Sequence, residues 1–165
     1  MDIVGIFKII TTSNMSGQSE MDAFRRQVTN RILEAFVENQ PKTFIHADRR
    51  TGLSTSILFA IDELINFQSA SILLVCASQR DVENSSKTLA RISHKAASKT
   101  QIYSFYDIRR KLQQRGGWAR EYDLIIIDDH EFFDLRKELR KNTKRTILCQ
   151  TSPRKLESAK NKHVR

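Results

Sequence analysis

Apolar residues recur along the chain in two patterns, one with helical spacing and one in short unbroken runs. Between residues 18 and 40 they fall every three or four positions, which predicts an amphipathic helix. Pro41 is expected to end this helix, because proline lacks the amide proton that a helix interior needs. The predicted apolar stripe consists of Met21, Phe24, Val28, Ile32 and Phe36.

The rest of the chain alternates between predicted strands and predicted helices. Strands are expected at residues 3–10, 43–47, 71–77, 101–105, 122–128 and 145–150. Helices are expected at about residues 54–67, 79–97, 107–114 and 131–141. Ser54, Thr55 or Ser56 is expected to cap the first of these helices, and Gly116 with Gly117 should break the chain before residue 122.

The predicted strands lack the alternation of apolar and polar residues that is typical of a sheet with one face in water. Separated by helices, they predict the α/β class, with a mostly parallel sheet and helices on both faces. We expect residues 1–40 to form an N-terminal strand and helix that pack on a core of residues 41–153, followed by a basic tail at residues 154–165. In such sheets ligands bind at the carboxyl ends of the strands, where the loops after Ala47, Ile127 and Gln150 should meet.

The amino-acid composition is typical of a folded protein. Its 165 residues include 39% apolar and 28% charged side chains, with 5 Gly and 2 Pro, which excludes collagen-like and low-complexity classes. Its apolar runs are far shorter than the roughly 20 residues that cross a bilayer. The first residues lack a basic segment before an apolar one, so we expect a protein of the cytoplasm, in which Cys76 and Cys149 are buried core residues.

The net charge of +9 is concentrated at the end of the chain. Residues 136–165 contain 11 Lys or Arg and 2 acidic residues, whereas the other 135 residues contain 17 of each kind. Such a segment suits a polyanion, and the sequence predicts nucleic-acid binding through this basic C-terminal region. A solvated surface with a frayed terminus is the alternative.

The loop after the second predicted strand matches part of the phosphate-binding pattern GxxxxGK[ST]. Gly52 and Ser54 fit it, whereas Ala47 replaces the first glycine and Leu53 replaces the lysine. A glycine lets the backbone approach a phosphate, the helix N-terminus offers amide groups, and the Ser54 hydroxyl is a candidate Mg²⁺ ligand. The alternative is a plain turn between a strand and a helix.

Either of two arginines could supply the positive charge that the missing lysine would carry, although a planar guanidinium does not reproduce an ammonium group. The candidate nucleotide-binding residues of this loop are Arg49, Arg50, Thr51, Gly52, Leu53, Ser54 and Thr55.

Two adjacent carboxylates follow the most apolar predicted strand. Asp128 and Asp129 come directly after four aliphatic residues. Their mutual repulsion and desolvation are costly unless a cation or a hydrogen-bond network receives them. Asp128 is therefore a candidate metal residue, and both acids are candidate catalytic residues of a phosphoryl transfer, with Asp129 polarising the attacking water. In the alternative, Asp129 caps the helix expected at residues 131–141.

The last predicted strand ends in small polar residues. Gln150 and Thr151 are candidates for contact with the γ-phosphate of a nucleotide, or they begin a turn. His130 is expected to be a partly exposed loop residue, and no metal cluster of His and Cys is implied.

Together these three segments resemble the P-loop ATPases, and most of all the ATPase motor domain of viral (phage-type) large terminase subunits. The resemblance rests on residues 49–54, 124–133 and 150–153 and extends over about residues 18–153. It implies a RecA-like core, ATP with Mg²⁺, and translocation of double-stranded DNA into a capsid by a ring of subunits. Arg49 would match the arginine that precedes the loop glycine, Asp128 the acid that organises the metal, and Asp129 the catalytic glutamate.

The chain departs from that family in three ways. Leu53 stands in place of the lysine, Asp129 is one methylene shorter than glutamate, and we expect no nuclease domain after Pro153. Two hypotheses result. The first is a terminase-like ATPase domain that couples ATP to DNA translocation or packaging in a homo- or hetero-oligomeric viral assembly. The second is a catalytically degenerate NTPase-like or helicase-like domain that binds nucleic acid or a partner.

Overall fold

The computed structural model describes residues 17–48, 51–129 and 134–151, together with the backbone of residues 5–8. The strands are β1 (Gly5–Lys8), β2 (Lys42–Ala47), β3 (Ile72–Cys76), β4 (Thr100–Ser104), β5 (Leu124–Asp128) and β6 (Thr146–Thr151). The helices are α1 (Gln18–Val37), α2 (Leu53–Gln68), α3 (Gln79–Ile92), α4 (His94–Lys99), α5 (Phe105–Leu112) and α6 (Leu135–Glu138).

The six strands form one parallel sheet in the order β1-β2-β6-β5-β3-β4. The predicted α/β class and the parallel sheet are therefore confirmed, and the architecture is consistent with a RecA-like core. Because β6 lies between β2 and β5, the last strand of the chain separates the two strands whose loops carry the candidate phosphate and acid residues.

Helices cover both faces of the sheet. On one face, α1, α2, α3 and α4 pack on inward side chains of the strands, among them Ile45, Leu74 and Ile126. On the other face, Ile108 of α5 and Leu135 of α6 pack on side chains such as those of Val75, Ile127 and Leu148. Since both faces are buried, the central strands need apolar residues at successive positions, and this is why they lack a period of two.

Helix α1 follows the predicted stripe except at its first position. Phe24, Val28, Ile32 and Phe36 are buried, whereas Met21 is 42% exposed. The helix ends at Val37 rather than at residue 40.

The predicted helix at residues 79–97 is two helices. Ser93 adopts an extended conformation, with φ −161°, between α3 and α4, and its side chain accepts a hydrogen bond from the Ala96 amide. A serine that caps a new helix can end the preceding one without any glycine or proline signal.

The predicted helix at residues 131–141 is much shorter in the part that the structure describes. There it extends over α6 alone, and turns follow at residues 139–142. Asp134, not Asp129, is the residue that precedes α6.

Candidate functional site

The candidate residues meet at the carboxyl edge of the sheet. Strands β2, β6 and β5 are neighbours, and Ala47 at the end of β2 is in register with Thr151 at the end of β6. Asp128 at the end of β5 is in register with Cys149 of β6. The expected convergence of the three loops is thus found for the residues that the structure describes.

A hydrogen bond joins the two segments that carry the candidate chemistry. The Ser54 hydroxyl, in the first turn of α2, donates to Oδ2 of Asp128 across 2.8 Å, and the two residues are 74 positions apart in the chain. This contact places a hydroxyl and a carboxylate, both oxygen ligands of the type that Mg²⁺ prefers, side by side at the sheet edge.

Gly52 shapes the start of α2. It is the N-cap residue, with φ 77° and ψ 31°, which lies in the left-handed region that glycine adopts without a steric penalty. The predicted capping by Ser54, Thr55 or Ser56 is wrong, because all three lie inside the helix; the Ser56 hydroxyl instead donates to the Gly52 carbonyl at 2.9 Å. Gly52 and Ser54 are exposed, so solvent reaches the N-terminal end of α2.

Replacing Gly52 by alanine should destabilise the protein by about 1–2 kcal/mol, because an L-residue is strained at this positive φ. Space is not the cause, since a Cβ at this position would meet no described atom within 4 Å. We expect Gly52→Asn to cost less, because asparagine tolerates the left-handed region better than alanine. Urea unfolding of the three proteins tests this, and equal stability of the alanine and asparagine variants would contradict it.

Leu53 does not take the place of the missing lysine. Its side chain is 2% exposed and belongs to the apolar core on the α2 face of the sheet. The prediction that the Leu53 side chain binds nucleotide is therefore wrong, and only the backbone of Leu53 could face a phosphate. Thr51 is also buried, and its hydroxyl donates to the Asp48 carbonyl at 2.8 Å, whereas Thr55 is exposed on the first turn of α2.

Asp128 sits in a poorly solvated position. Its neighbours in register on the two adjacent strands are Cys76 and Cys149, both buried. Burial raises the pKa of the Asp128 carboxyl from 3.8 to about 6, the hydrogen bond from Ser54 lowers it, and the charges of Asp129 and Asp81 raise it further. The carboxylate is therefore held at a cost that a bound cation would offset.

The two cysteines are core residues, as expected from the sequence. Both are free thiols. Burial raises the pKa of Cys76 to about 12, and burial together with the charge of Asp128 raises the pKa of Cys149 well above its usual value. Neither thiol is poised to act as a nucleophile near neutral pH.

The other described candidates lie at the ends of their strands. Asp129 follows β5 and is partly buried, Gln150 is partly buried near the end of β6, and Thr151 is its exposed last residue. Gln150 is in register with His46 of β2, so it lies beside the start of the phosphate-type loop.

Several predicted residues lie outside the part of the chain that the structure describes. They are Arg49, Arg50, His130 and the basic tail at residues 154–165.

Sequence reasoning missed one acidic residue that acts on the site. Asp81 lies in the first turn of α3, where its amide donates to the Ser78 side chain and its carboxylate accepts from the Ser78 hydroxyl. Its charge contributes to the raised pKa of Asp128. The Ser-x-x-Asp spacing after an apolar run predicts a helix cap, but only the parallel pairing of β3 with β5 brings that cap beside Asp128.

A resident metal centre built from several acidic, His and Cys side chains is not seen among the described residues. Mg²⁺ does not require one, because it commonly binds one or two protein oxygens together with substrate phosphates and water. Ser54 and Asp128 fit that mode.

In comparisons with known proteins, no protein-family model and no curated protein matched the chain. Across the described residues, none of the helices combines the length and the apolar character that crossing a bilayer requires.

Proposed function

We propose that this chain binds a nucleoside triphosphate with Mg²⁺ at the carboxyl edge of its sheet, and that it is a terminase-like ATPase domain. In this proposal it couples ATP to the translocation or packaging of DNA within a larger viral assembly. The observation that carries the proposal is the 2.8 Å hydrogen bond from Ser54 to Asp128, which brings the start of α2 to the end of β5.

Two side chains would hold the metal. The Ser54 hydroxyl and the Asp128 carboxylate would do so, directly or through water, and Mg²⁺ would neutralise charge on the phosphate oxygens. The amides of the first turn of α2 would bind phosphate oxygens, helped by the positive end of the helix dipole. Gly52 leaves the approach to these amides open, because no side chain projects from it.

Asp129 is the candidate for orienting water, and Gln150 or Thr151 for contact with the terminal phosphate. All three lie at the ends of strands that are adjacent in the sheet. Arg49 and Arg50 are the proposed sources of positive charge in the loop before Gly52.

The electrostatics of Asp128 also support a cation. An aspartate with its pKa raised to about 6 by burial is ionised near neutral pH only at a free-energy cost. A bound Mg²⁺ would remove that cost.

A second candidate function is a binding module that has lost turnover. The burial of Leu53 favours it, because the helix start then lacks the ammonium group that phosphoryl transfer uses in P-loop enzymes. In this alternative the domain would bind nucleic acid or a partner protein, with or without nucleotide.

A thermal melt tests the proposal. Mg²⁺-ATP at 100 times its dissociation constant should add about 2.7 kcal/mol of stability. For a domain of this size the melting temperature should rise by about 5–10 °C. ATP with a chelator, and Mg²⁺ alone, should each give a much smaller shift.

The matched variant is Ser54→Ala, which removes the proposed hydroxyl ligand and keeps the helix. We expect it to lose most of the Mg²⁺-ATP shift. An unchanged melting temperature of the wild-type protein at millimolar Mg²⁺-ATP would contradict nucleotide binding and favour the second candidate.

A further inference from the structure

The two layers of helices differ sharply in charge. Helices α1, α2, α3 and α4, on one face of the sheet, contain 8 basic and 7 acidic residues. On the other face, residues 105–121 and 134–144, here called the basic face, contain 10 basic and 4 acidic residues. The folded part of the chain therefore carries its excess of positive charge on one side.

The basic face is held together as one surface. Arg109 of α5 forms an ion pair with Glu138 of α6 at 3.2 Å. The Asn142 side-chain amide, itself buried, donates to the carbonyls of Trp118 and Arg120, at 2.7 Å each, and so fixes the loop after α5 against the turn after α6. These contacts hold the cations of α5, of the loop after it and of α6 close to one another.

Some of these cations are positioned by aromatic rings. The Lys111 ammonium lies 4.8 Å from the ring centre of Tyr103, and the Arg120 guanidinium lies 5.4 Å from that of Tyr122. Such contacts reduce the entropy that a long side chain loses when it binds a phosphate. The Tyr106 side chain, on α5, is 73% exposed and offers a ring on which a base could stack.

We infer that the basic face binds the phosphate backbone of nucleic acid. Six of its 10 cations are arginines, whose planar forks match phosphate geometry. Nucleic acid suits the face better than an anionic membrane, because the exposed Tyr106 ring offers a stacking surface that a base can use and a lipid headgroup cannot. The inference deepens the proposed function, since it names the surface through which the domain would hold its DNA.

This surface coincides only in part with the one that the sequence predicts, because residues 136–144 belong to both and the cations of residues 105–121 do not. Counting along the chain assigns the whole excess charge to residues 136–165, because the cations of α5 are balanced by acids elsewhere. The fold separates them from those acids and places them beside α6.

Three exposed cations of the basic face, one in the loop after α5 and two in or after α6, provide the test. The variant Arg115→Gln, Lys137→Gln, Lys141→Gln should weaken binding of the full chain to a duplex oligonucleotide at least about tenfold at about 0.1 M salt. The slope of log K against log salt should fall by about 3, because about 0.9 counterions are released for each phosphate contact. A single-stranded oligonucleotide, measured in parallel, shows which form of the backbone the face prefers.

The control variant removes the same number of exposed cations from the other layer: Arg26→Gln, Lys87→Gln, Lys95→Gln. We expect it to retain the wild-type slope. Equal losses in both variants, no loss in the first, or tighter binding of the wild type to phosphatidylserine vesicles than to either oligonucleotide would each overturn the inference.

The same proteins separate this inference from the nucleotide proposal. The basic-face variant should keep the full melting shift with Mg²⁺-ATP, because none of its three positions belongs to the nucleotide site. Suppose that Mg²⁺-ATP does not shift the melting temperature of the wild type, and that the basic-face variant binds DNA more weakly than the wild type does. The nucleotide proposal then fails and the inference stands.

Discussion

Asp128→Asn is expected to stabilise the protein near pH 7 by up to about 3 kcal/mol and, at the same time, to abolish the extra stability that Mg²⁺-ATP provides. The wild-type carboxyl has a pKa raised by burial to about 6, compared with 3.8 in the unfolded chain. The folded state therefore prefers the protonated form. The stability that the protonated Asp128 carboxyl contributes is fully present below about pH 4 and is lost as the pH rises through 6. Asparagine keeps an oxygen that can accept from Ser54 and never ionises.

Urea unfolding of both proteins across this pH range measures the effect. The two should be nearly equal in stability near pH 4 and should diverge up to about pH 7. Glu63→Gln, an exposed acid of α2, is the control and should leave the pH profile as it is in the wild type. A wild-type protein that gains stability relative to Asp128→Asn as the pH rises would contradict the assignment.

Asp129→Asn should remove ATP hydrolysis while leaving nucleotide binding intact. If Asp129 orients the attacking water, its loss should lower phosphate release at least about 100-fold, as is typical when a positioned acid or base is removed. The thermal shift with Mg²⁺-ATP should remain, because the proposed metal ligands are Ser54 and Asp128. A phosphate-release assay and a melt on the same sample measure both quantities.

The control for this variant is Glu121→Gln, an exposed acid in the loop before β5. It should release phosphate at the wild-type rate. Equal activity of the wild type and Asp129→Asn would remove Asp129 from the mechanism. Absence of phosphate release from the wild type, with binding retained, would instead favour a domain that binds nucleotide without turnover.

The sheet could be predicted from the sequence because its strands carry an unambiguous signal. Residues 72–75 and 124–127, which precede Cys76 and Asp128, are buried on both faces of the sheet, so they are apolar at every position. Their carboxyl ends had to meet at one edge once the strands were parallel, and the bond between Ser54 and Asp128 lies there.

Details that depend on tertiary contacts could not be predicted. The break at Ser93 is a local feature, but serine also occurs inside helices, and no glycine or proline marks the position where its side chain caps the Ala96 amide. Leu53 fills the position of a lysine in the pattern, but its burial is decided by the core beneath α2. The influence of Asp81 on Asp128 required the order of strands, which the sequence does not state.

The thiols of Cys76 and Cys149, which flank Asp128 across the sheet, have a consequence for which cations the edge can accept. Zinc and copper(I) favour sulfur donors, but a thiol binds them well only after it loses its proton. Burial keeps both sulfurs protonated at physiological pH, so the donors within reach are hard oxygens. The strand neighbours of the acid would thus discourage the soft metals that otherwise outcompete magnesium.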